Sequence, residues 1–266
     1  NIETNDEICP ICGSKTVEDI PVEVYWCPEC KVPIINTTTQ ADKGSCPLCG
    51  HKTKYMSADL RPVFPEERLL LELLLEKKPH EYVQKSVWAA NSSYYIDGKR
   101  VALPAKLFEK ADTDDLSKKI EEYKGSNTYE YFNIYAKRFC EANRNRLNYL
   151  VDEASEFVRN AASKFDEDRL VVSFSGGKDS TVTADLTINA LGTSSIVHIF
   201  GNTTLEFPTT GEYAERYRHN HPHAIFMVAK NEEQNFMDVC DDIGPPARMM
   251  RWSCSMFKTG PITQSY

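Results

Sequence analysis

The stretch from Arg169 to Gly192 constrains the fold of this 266-residue chain more than any other feature. It begins with the short apolar segment RLVVSF, continues through the glycine loop SGGKDS, and ends in a helical segment that a glycine terminates. In such a strand–loop–helix unit, the glycines let backbone N–H groups surround an anion, and the start of the helix adds partial positive charge. We therefore expect a phosphate-binding loop in an α/β domain.

The loop differs from a Walker A loop in two respects. No glycine lies five positions before Gly177, and Lys178 is followed by Asp179 rather than by Ser or Thr. A carboxylate beside a phosphate is unfavourable unless a cation such as Mg²⁺ bridges the two groups or the carboxylate caps the helix. The sequence therefore indicates another class of phosphate loop, with Mg²⁺ as a candidate cofactor.

The segment SFSGGKDST resembles the PP-loop of the ATP pyrophosphatase superfamily, and in particular that of its phosphoadenylyl-sulfate reductase branch. The resemblance implies an adenine nucleotide alpha hydrolase-like fold, in which an open parallel sheet has helices on both faces. It also implies that the loop binds an adenine nucleotide, either phosphoadenylyl sulfate or ATP. The residues that it assigns to this site are Ser173, Ser175, Gly176, Gly177, Lys178, Asp179 and Ser180.

A second segment fits the same branch. The strand-like SIVHIF leads into GNTTLEFPTTGEY, which resembles the family element Asp-Thr-Gly-Leu-Glu-Phe-Pro-Glu-Thr and adds Thr203, Glu206 and Phe207 to the nucleotide site. A helix and the strand-like AIFMV follow, so the predicted order is β-α-β-α-β. Both loops then leave the carboxyl ends of strands, where open parallel sheets bind nucleotides. Asn202 and Thr204 stand where the family usually has Asp and Gly.

A third segment, RMMRWSCSMFKTGPI, contains no acidic residue and resembles the branch signature Arg-Trp-Cys-Cys-x3-Lys-x2-Pro. The resemblance implies that Arg248, Arg251 and Lys258 hold the sulfate or phosphate end of the nucleotide, as their positive charge allows. Family members with a 4Fe-4S cluster have paired cysteines here and a later Cys-x2-Cys. In this chain Ser253 precedes Cys254 and no later cysteine follows, so Cys254 is a cluster ligand only with residues beyond position 266.

Reductases of this branch attack the sulfonate with a cysteine in a Glu-Cys-Gly-x-His element and hand the product to thioredoxin. That element does not occur in residues 1–266, so the resemblance leaves the catalytic nucleophile unassigned. Three functions stay open. One is a phosphoadenylyl-sulfate or adenylyl-sulfate reductase with a thioredoxin-like partner. Another is an ATP pyrophosphatase that acts on nucleic acid in DNA phosphorothioation or RNA thiolation, and the third is a nucleotide-binding subunit without catalysis.

Three Cys-Pro-x-Cys pairs in the first fifty residues predict a zinc ribbon. Each pair turns two thiolates toward one point, and two pairs supply the four sulfurs that Zn²⁺ prefers. Fifteen residues separate Cys30 from Cys46, within the range of zinc ribbons, whereas fourteen separate Cys12 from Cys27. The expected zinc ligands are therefore Cys27, Cys30, Cys46 and Cys49. Cys9 and Cys12 would then bind metal together with residues upstream of this sequence, or would replace one of the other two pairs in an alternative pairing.

The middle of the chain sets the predicted domain boundaries. RPVFPEERLLLELLLEKK predicts a packing helix with Pro65 in its first turn and a leucine stripe on one face. SSYYIDGKRVAL predicts a hairpin with a type I′ turn at Asp97 and Gly98, and residues 128–165 have a helical pattern. The predicted domains are a zinc-ribbon module at 1–60, a connecting region with the helix and a small β segment at 61–126, and a PP-loop domain at 127–266 that is incomplete at its C-terminus.

Composition argues against some classes of protein. No apolar run approaches the roughly 18 residues that a membrane helix needs. The formal charge of −8 argues against a protein that coats nucleic acid through general electrostatics. The first residues lack the basic and apolar stretches of a signal peptide, and the cysteine spacing fits a reducing compartment. We therefore expect a cytoplasmic protein without a membrane partner.

Overall fold

The computed structural model describes residues 7–8, 22–37, 44–103, 107, 111–126, 128–192 and 196–265. The chain divides into two compact units, Asn1–Asn148 and Tyr149–Tyr266, and the boundary lies inside a long helix. Cys9 and Cys12 lie outside the described residues. Within the described part, no helix combines the length and the apolar character needed to cross a membrane.

The first sheet of the N-terminal unit has three antiparallel strands in the order β2-β1-β3. The strands are β1 (Val22–Cys27), β2 (Val32–Thr37) and β3 (Lys54–Ser57). Side chains alternate across a strand, so Val24 and Trp26 of the central strand share one face and pack with Met56 in the core. Strand β1 ends at Cys27, which places the pair Cys27 and Cys30 in the turn to β2.

The second sheet of this unit has four strands in the order β4-β5-β6-β7. They are β4 (Arg61–Pro62), β5 (Val87–Ala90), β6 (Ser93–Ile96) and β7 (Lys99–Ala102). The predicted hairpin is confirmed, because Asp97 and Gly98 join β6 to β7 with φ of 47° and 76°, as a type I′ turn requires. Only glycine fits at the second turn position, since a Cβ on Gly98 would collide with the Trp26 indole.

Helix α1 (Pro65–Leu74) begins at the predicted proline, but a charged pair shares its buried face with the leucines. Arg68 Nε lies 3.5 Å from the Glu72 carboxylate, and both side chains are buried. Glu72 also accepts the backbone N–H groups of His80 and Tyr82 at 2.6 and 2.7 Å. The leucine prediction did not include this charged pair, which is needed because the segment after the helix requires acceptors for its buried backbone groups.

Three further helices follow in the order of the chain, among the residues that the structure describes. They are α2 (Thr113–Tyr123), α3 (Glu130–Ala142) and α4 (Arg144–Ala162), with a 3₁₀ turn at Lys124–Ser126. The helical pattern predicted over 128–165 is confirmed, as two consecutive helices rather than one long helix. At the junction Asn143 accepts the Ile35 N–H at 2.7 Å and donates to the Pro33 carbonyl at 3.0 Å, which ties the helices to β2.

The C-terminal unit contains a parallel sheet in the order β10-β9-β8. Its strands and the helices between them are β8 (Val171–Phe174), α5 (Lys178–Leu191), β9 (Val197–Asn202), α6 (Pro208–Asn220) and β10 (Ile225–Lys230), preceded by a 3₁₀ turn at Glu167–Arg169. After the sheet come α7 (Phe236–Ile243), α8 (Trp252–Cys254), a π-helical turn at Ser255–Thr259 and α9 (Gly260–Ser265). The predicted β-α-β-α-β order is confirmed.

Helices pack on both faces of the parallel sheet. On one face, Phe174 packs with Ala184 of α5 and Tyr217 of α6 in the main core of the unit. On the other face, a Cβ on Gly201 would lie 3.3 Å from Ile262 Cδ1, so this glycine lets α9 approach the centre of the sheet. The predicted fold class, an α/β domain with an open parallel sheet, is therefore confirmed.

Candidate functional site

The glycine loop leaves the carboxyl end of β8 and leads directly into α5, and we call residues 175–180 the phosphate loop. Gly176 has φ of +73°, a backbone conformation that favours glycine. A Cβ there would lie 3.1 Å from Thr210 Cγ2 of α6, so the loop packs closely against the next helix. Gly177 has an extended backbone and precedes the first helical residue.

Hydrogen bonds from Ser180 hold the phosphate loop in shape. The Ser175 N–H donates to Ser180 Oγ at 3.1 Å, and Ser180 Oγ donates to the Gly177 carbonyl at 3.0 Å. The N–H groups in the first turn of any helix have no acceptor further back in that helix. In α5 this first turn begins at Lys178 and is largely exposed, so its N–H groups are open to an anion from solvent.

The two charged residues of the phosphate loop pair with each other at the surface. Lys178 Nζ lies 2.9 Å from Asp179 Oδ1, and the side chains are 90% and 89% exposed. An exposed pair of this kind contributes little stability, so both groups are free to turn toward a ligand. The predicted Ser173 lies just before the loop, on the face of β8 opposite the core, and is exposed.

The second predicted segment forms a closed turn at the carboxyl end of β9. The Thr203 N–H and hydroxyl donate to the two oxygens of Glu206 at 3.0 and 2.7 Å, so this carboxylate shapes the loop. Asn202 Oδ1 accepts the Thr204 N–H at 2.9 Å. Phe207 stands at the start of α6 and is 77% exposed. The turn therefore presents an aromatic ring and polar backbone beside the phosphate loop.

The third segment, which we call the basic segment (residues 248–258), follows α7. Arg248, Arg251 and Lys258 are all exposed. A short bridge pairs Ala247 with Met250, and Arg251 Nε donates to the Arg248 carbonyl at 3.3 Å, so the two arginines lie on one tight turn. The positive charge predicted from the sequence is thus presented to solvent.

Two contacts bring these segments to one edge of the sheet, and the sequence reasoning missed the residues that make them. Tyr213 of α6 donates to Thr181 Oγ1 of α5 at 3.1 Å, beside the packing of Gly176. Asn231, the first residue after β10, donates to the Met256 carbonyl at 3.3 Å, which holds the basic segment near the end of that strand. A polar residue directly after a predicted parallel strand was the signal that could have identified Asn231.

Four cysteines of the N-terminal unit form the metal-ligand group that the spacing predicted. The Sγ atoms of Cys27 and Cys49 are 3.5 Å apart, those of Cys30 and Cys46 are 3.8 Å apart, and all four lie within 4.8 Å of one another. A Zn–S distance of about 2.3 Å gives a tetrahedral edge of about 3.8 Å, so these sulfurs fit a zinc ion. Among the described residues, these four cysteines form the group that is close enough to bind one metal ion. Cys254 is exposed and does not belong to it.

The two cysteine pairs have the same backbone geometry. Each is followed by a residue in the left-handed region, Lys31 with φ of 54° and Gly50 with φ of 74°. In each pair, the residue after the second cysteine donates its N–H to the carbonyl of the first, at 2.9 Å for Cys27 and 2.8 Å for Cys46. Each pair therefore curls tightly enough to aim both thiols at one point.

The thiols of this group differ in acidity. Burial raises the pKa of Cys27 to about 11. Although burial also acts on Cys49, hydrogen bonds from His51 and from neighbouring cysteines lower its pKa to about 6. Buried thiols of this kind release their protons when a cation replaces them, so metal binding here is coupled to proton release. The group is able to hold a metal ion such as zinc.

Comparison with known proteins agrees with the geometry of the C-terminal unit. Residues 169–266 match the family model described as the phosphoadenosine phosphosulfate reductase domain, and this range contains all three segments of the site. The chain is also similar to "Uncharacterized protein MJ0066" of Methanocaldococcus jannaschii, with 31% identity over 142 residues. That match covers 53% of this chain and 28% of the archaeal protein. Residues 169–266 therefore match the domain of the phosphoadenosine phosphosulfate reductase family, which supports the resemblance to the PP-loop superfamily.

Proposed function

We propose that this domain binds an adenine nucleotide and acts as a phosphoadenylyl-sulfate or adenylyl-sulfate reductase-like enzyme. The observation that carries the proposal is the open first turn of α5, shaped by Gly176 and Ser180 at the carboxyl edge of a parallel sheet. Backbone N–H groups and the helix dipole stabilise negative charge at such a position. The family match at 169–266 supports the same assignment.

Each segment of the site has a distinct part in this proposal. The phosphate loop holds a phosphate or sulfate group, and Lys178 adds a mobile positive charge. The turn at 203–207 receives the nucleoside, with Phe207 offering an exposed ring to the base. Arg248, Arg251 and Lys258 hold the second anionic end of the nucleotide through charge-assisted hydrogen bonds.

The reductase reaction needs a thiolate and a second reductant. The thiolate sulfur bonds to the sulfonate sulfur while the bond from that sulfur to the phosphate oxygen breaks, and the nucleotide leaves with the electron pair. A dithiol protein of the thioredoxin class then reduces the enzyme-bound sulfonate and releases sulfite. The basic segment stabilises the charge that develops on the departing phosphate. The proposal assigns the attacking thiol to no residue of this chain.

A second candidate keeps the nucleotide site and changes the reaction. Asp179 places a carboxylate in the phosphate loop, an arrangement that suits Mg²⁺ bound with ATP. In this alternative the domain is an ATP pyrophosphatase that transfers an adenylyl group in nucleic-acid sulfur modification. The four-cysteine group favours it as well, because zinc ribbons often contact nucleic acid, although they also serve as folding units.

We also propose that zinc occupies the four-cysteine group and that the protein works in the cytoplasm. The support for zinc is the tetrahedral spacing of four sulfurs without other ligand types. The described cysteines are all free thiols, as is typical of proteins from a reducing compartment. Zinc supplies a fixed crosslink between the two cysteine pairs when bound.

A comparison of two turnover assays tests the proposed function. The full chain is incubated either with phosphoadenylyl sulfate, adenylyl sulfate and reduced thioredoxin, or with ATP and Mg²⁺. We expect sulfite in the first assay. Release of pyrophosphate from ATP without any sulfite would reject the reductase and support the alternative. A chain that binds phosphoadenylyl sulfate or ATP but turns over neither would be a nucleotide-binding subunit.

A further inference from the structure

Thr204 has an unusual backbone conformation in the turn after β9. Its φ is +68°, in the left-handed region that β-branched residues rarely adopt. Gly176 has a similar φ in the phosphate loop, but there the residue is a glycine and tolerates it. A strained non-glycine residue at a candidate site persists only where surrounding contacts hold it in place.

Two hydrogen bonds hold Thr204. Its N–H donates to Asn202 Oδ1 at 2.9 Å, which keeps the turn closed on the end of β9. Its hydroxyl oxygen accepts the backbone N–H of Phe236 at 2.9 Å. Phe236 is the first residue of α7, so its N–H has no acceptor further back in the helix. The threonine hydroxyl therefore joins the end of β9 to the start of α7.

The ring of Phe236 extends this connection to the basic segment. Its centroid lies 5.1 Å from that of Trp252 and 5.8 Å from that of Phe257, and we call these three residues the aromatic cluster. Trp252 Nε1 donates to the Gly244 carbonyl at 3.2 Å, which closes the base of the loop that carries both arginines. Phe257 is buried and directly precedes Lys258.

We infer that Thr204 is a positioning residue that acts through Phe236 and the aromatic cluster to place the basic segment relative to the phosphate loop. This inference rests on the proposed function, since it concerns the second anionic end of the same nucleotide. A glycine at position 204 would adopt the backbone conformation without strain but would lack the hydroxyl. The Thr204 hydroxyl, rather than the backbone conformation of the turn, is therefore what places the basic segment.

Three substitutions separate the hydroxyl from the backbone. Thr204→Val keeps the branched shape and removes the acceptor, Thr204→Ser keeps the acceptor, and Thr204→Gly removes the acceptor while relieving the backbone. We expect roughly tenfold weaker binding of phosphoadenylyl sulfate in the Val and Gly variants and less than about twofold change in the Ser variant. The Gly variant has no backbone strain at position 204, so its affinity for phosphoadenylyl sulfate decides the question if the Val variant folds poorly.

Limited proteolysis without a nucleotide reports directly on how often the basic segment opens. Trypsin cleaves after exposed arginines, and the cleavage rate of a folded protein increases when the segment opens more often. We expect cleavage after Arg248 and Arg251 to be severalfold faster in the Val and Gly variants and unchanged in the Ser variant. Thr263→Val is the matched control, because that hydroxyl donates to the Thr259 carbonyl one turn earlier in the chain rather than joining two separate segments.

A double-mutant cycle then tests the route of the effect. In a chain that also carries Arg248→Ala and Arg251→Ala, Thr204→Val should change the affinity for phosphoadenylyl sulfate by less than about twofold. An equal loss in both backgrounds, or equal behaviour of the Ser and Val variants, would overturn the inference and leave the proposed function standing. If the unaltered chain binds neither phosphoadenylyl sulfate nor ATP, the proposed function fails first and the inference fails with it.

Discussion

At the residue scale, the two glycines of the phosphate loop have different tasks. Gly176 takes a left-handed backbone and leaves only 3.1 Å between a Cβ position and Thr210, so it serves the packing of the loop. Gly177 has an ordinary φ of −79°, and a Cβ there would meet Ser175 Oγ at an unstrained 3.5 Å. A larger side chain at 177 is therefore compatible with the fold but stands at the mouth of the first turn of α5.

This difference predicts that Gly177→Val abolishes nucleotide binding while the protein stays folded. The valine would occupy the space where backbone N–H groups meet the anion. Isothermal titration with ATP and with phosphoadenylyl sulfate measures the loss, and circular dichroism checks the fold. Unchanged affinity for both ligands in a folded variant would show that the loop is a structural turn.

Substitutions at the neighbouring positions 176 and 178 should have different effects from Gly177→Val. Lys178→Ala should weaken binding by about 1–3 kcal/mol, the range for a lost charge-assisted hydrogen bond, because the backbone N–H groups remain. Gly176→Ala should instead destabilise the fold by about 1–2 kcal/mol through its left-handed backbone. Gly125→Val is the matched control for Gly177→Val and should leave nucleotide binding unchanged, because a Cβ at position 125 would have no neighbouring atom within 4 Å.

At the scale of elements, the three-stranded sheet depends on the turns that its cysteines form. One pair lies in the turn between β1 and β2, and the other lies just before β3. The hydrophobic core around the ligands is small, and it includes Cys27 and Cys46 themselves together with Val32 and Ile34. A bound metal would therefore supply a large part of what joins these turns.

The prediction for this element is that Cys46→Ser releases zinc and loosens the sheet while nucleotide affinity stays nearly unchanged. A buried serine is a poor zinc ligand, so the affinity for zinc should fall strongly. Loss of a residue that only hydrogen-bonds to a metal ligand costs roughly 10–100-fold in metal affinity, and loss of a ligand itself should cost more. Metal analysis of the purified protein and limited proteolysis of residues 22–57 measure the two effects. Cys140→Ser, which changes an exposed thiol on α3, is the control and should keep full zinc.

At the scale of the whole molecule, His198 couples the stability of the C-terminal unit to pH. Its side chain is fully buried in β9, and Nδ1 lies 2.9 Å from the Ile196 carbonyl, to which it donates. Nε2 has no hydrogen-bond partner among the described residues. Burial lowers the pKa of His198 despite that hydrogen bond, and the nearby His221 lowers it further. Tyr217, which packs against both imidazoles, has its own pKa raised by burial to about 12.

The sign of the pH effect follows from the lowered pKa. As the pH falls below 6.5, the ordinary pKa of histidine, the unfolded chain binds a proton that folded His198 does not. The free energy of unfolding should therefore decrease between about pH 7.5 and about pH 5.5, by no more than about 1.4 kcal/mol per pH unit. Urea denaturation at the two pH values measures this change.

Two variants isolate the histidine in that experiment. His198→Leu should lose the part of the pH dependence that His198 causes, whereas His223→Asn, which alters an exposed imidazole, should keep it. An identical pH dependence in the unaltered chain and in His198→Leu would assign the effect to other groups.

Much of the site could be predicted from the sequence because its signals are local. The strand, glycine loop and helix at 169–192 follow one another without interruption, and the conformations that they require depend on nearby residues. The type I′ turn at Asp97 and Gly98 and the spacing of the second and third cysteine pairs are local in the same way. Conversely, nothing near Arg68 or Glu72 in the sequence indicates that a charged pair shares the buried face of α1.

What the sequence by itself determined is the identity of the elements and of the four cysteines that cluster, since backbone preference, turn chemistry and cysteine spacing act over a few positions. Only the tertiary structure decided how those residues are held. Thr204 meets Phe236 across 32 positions, and Asn231 meets Met256 across 25. Such contacts exist because parallel strands bring their carboxyl ends to one edge, where unpaired backbone groups require partners from distant parts of the chain.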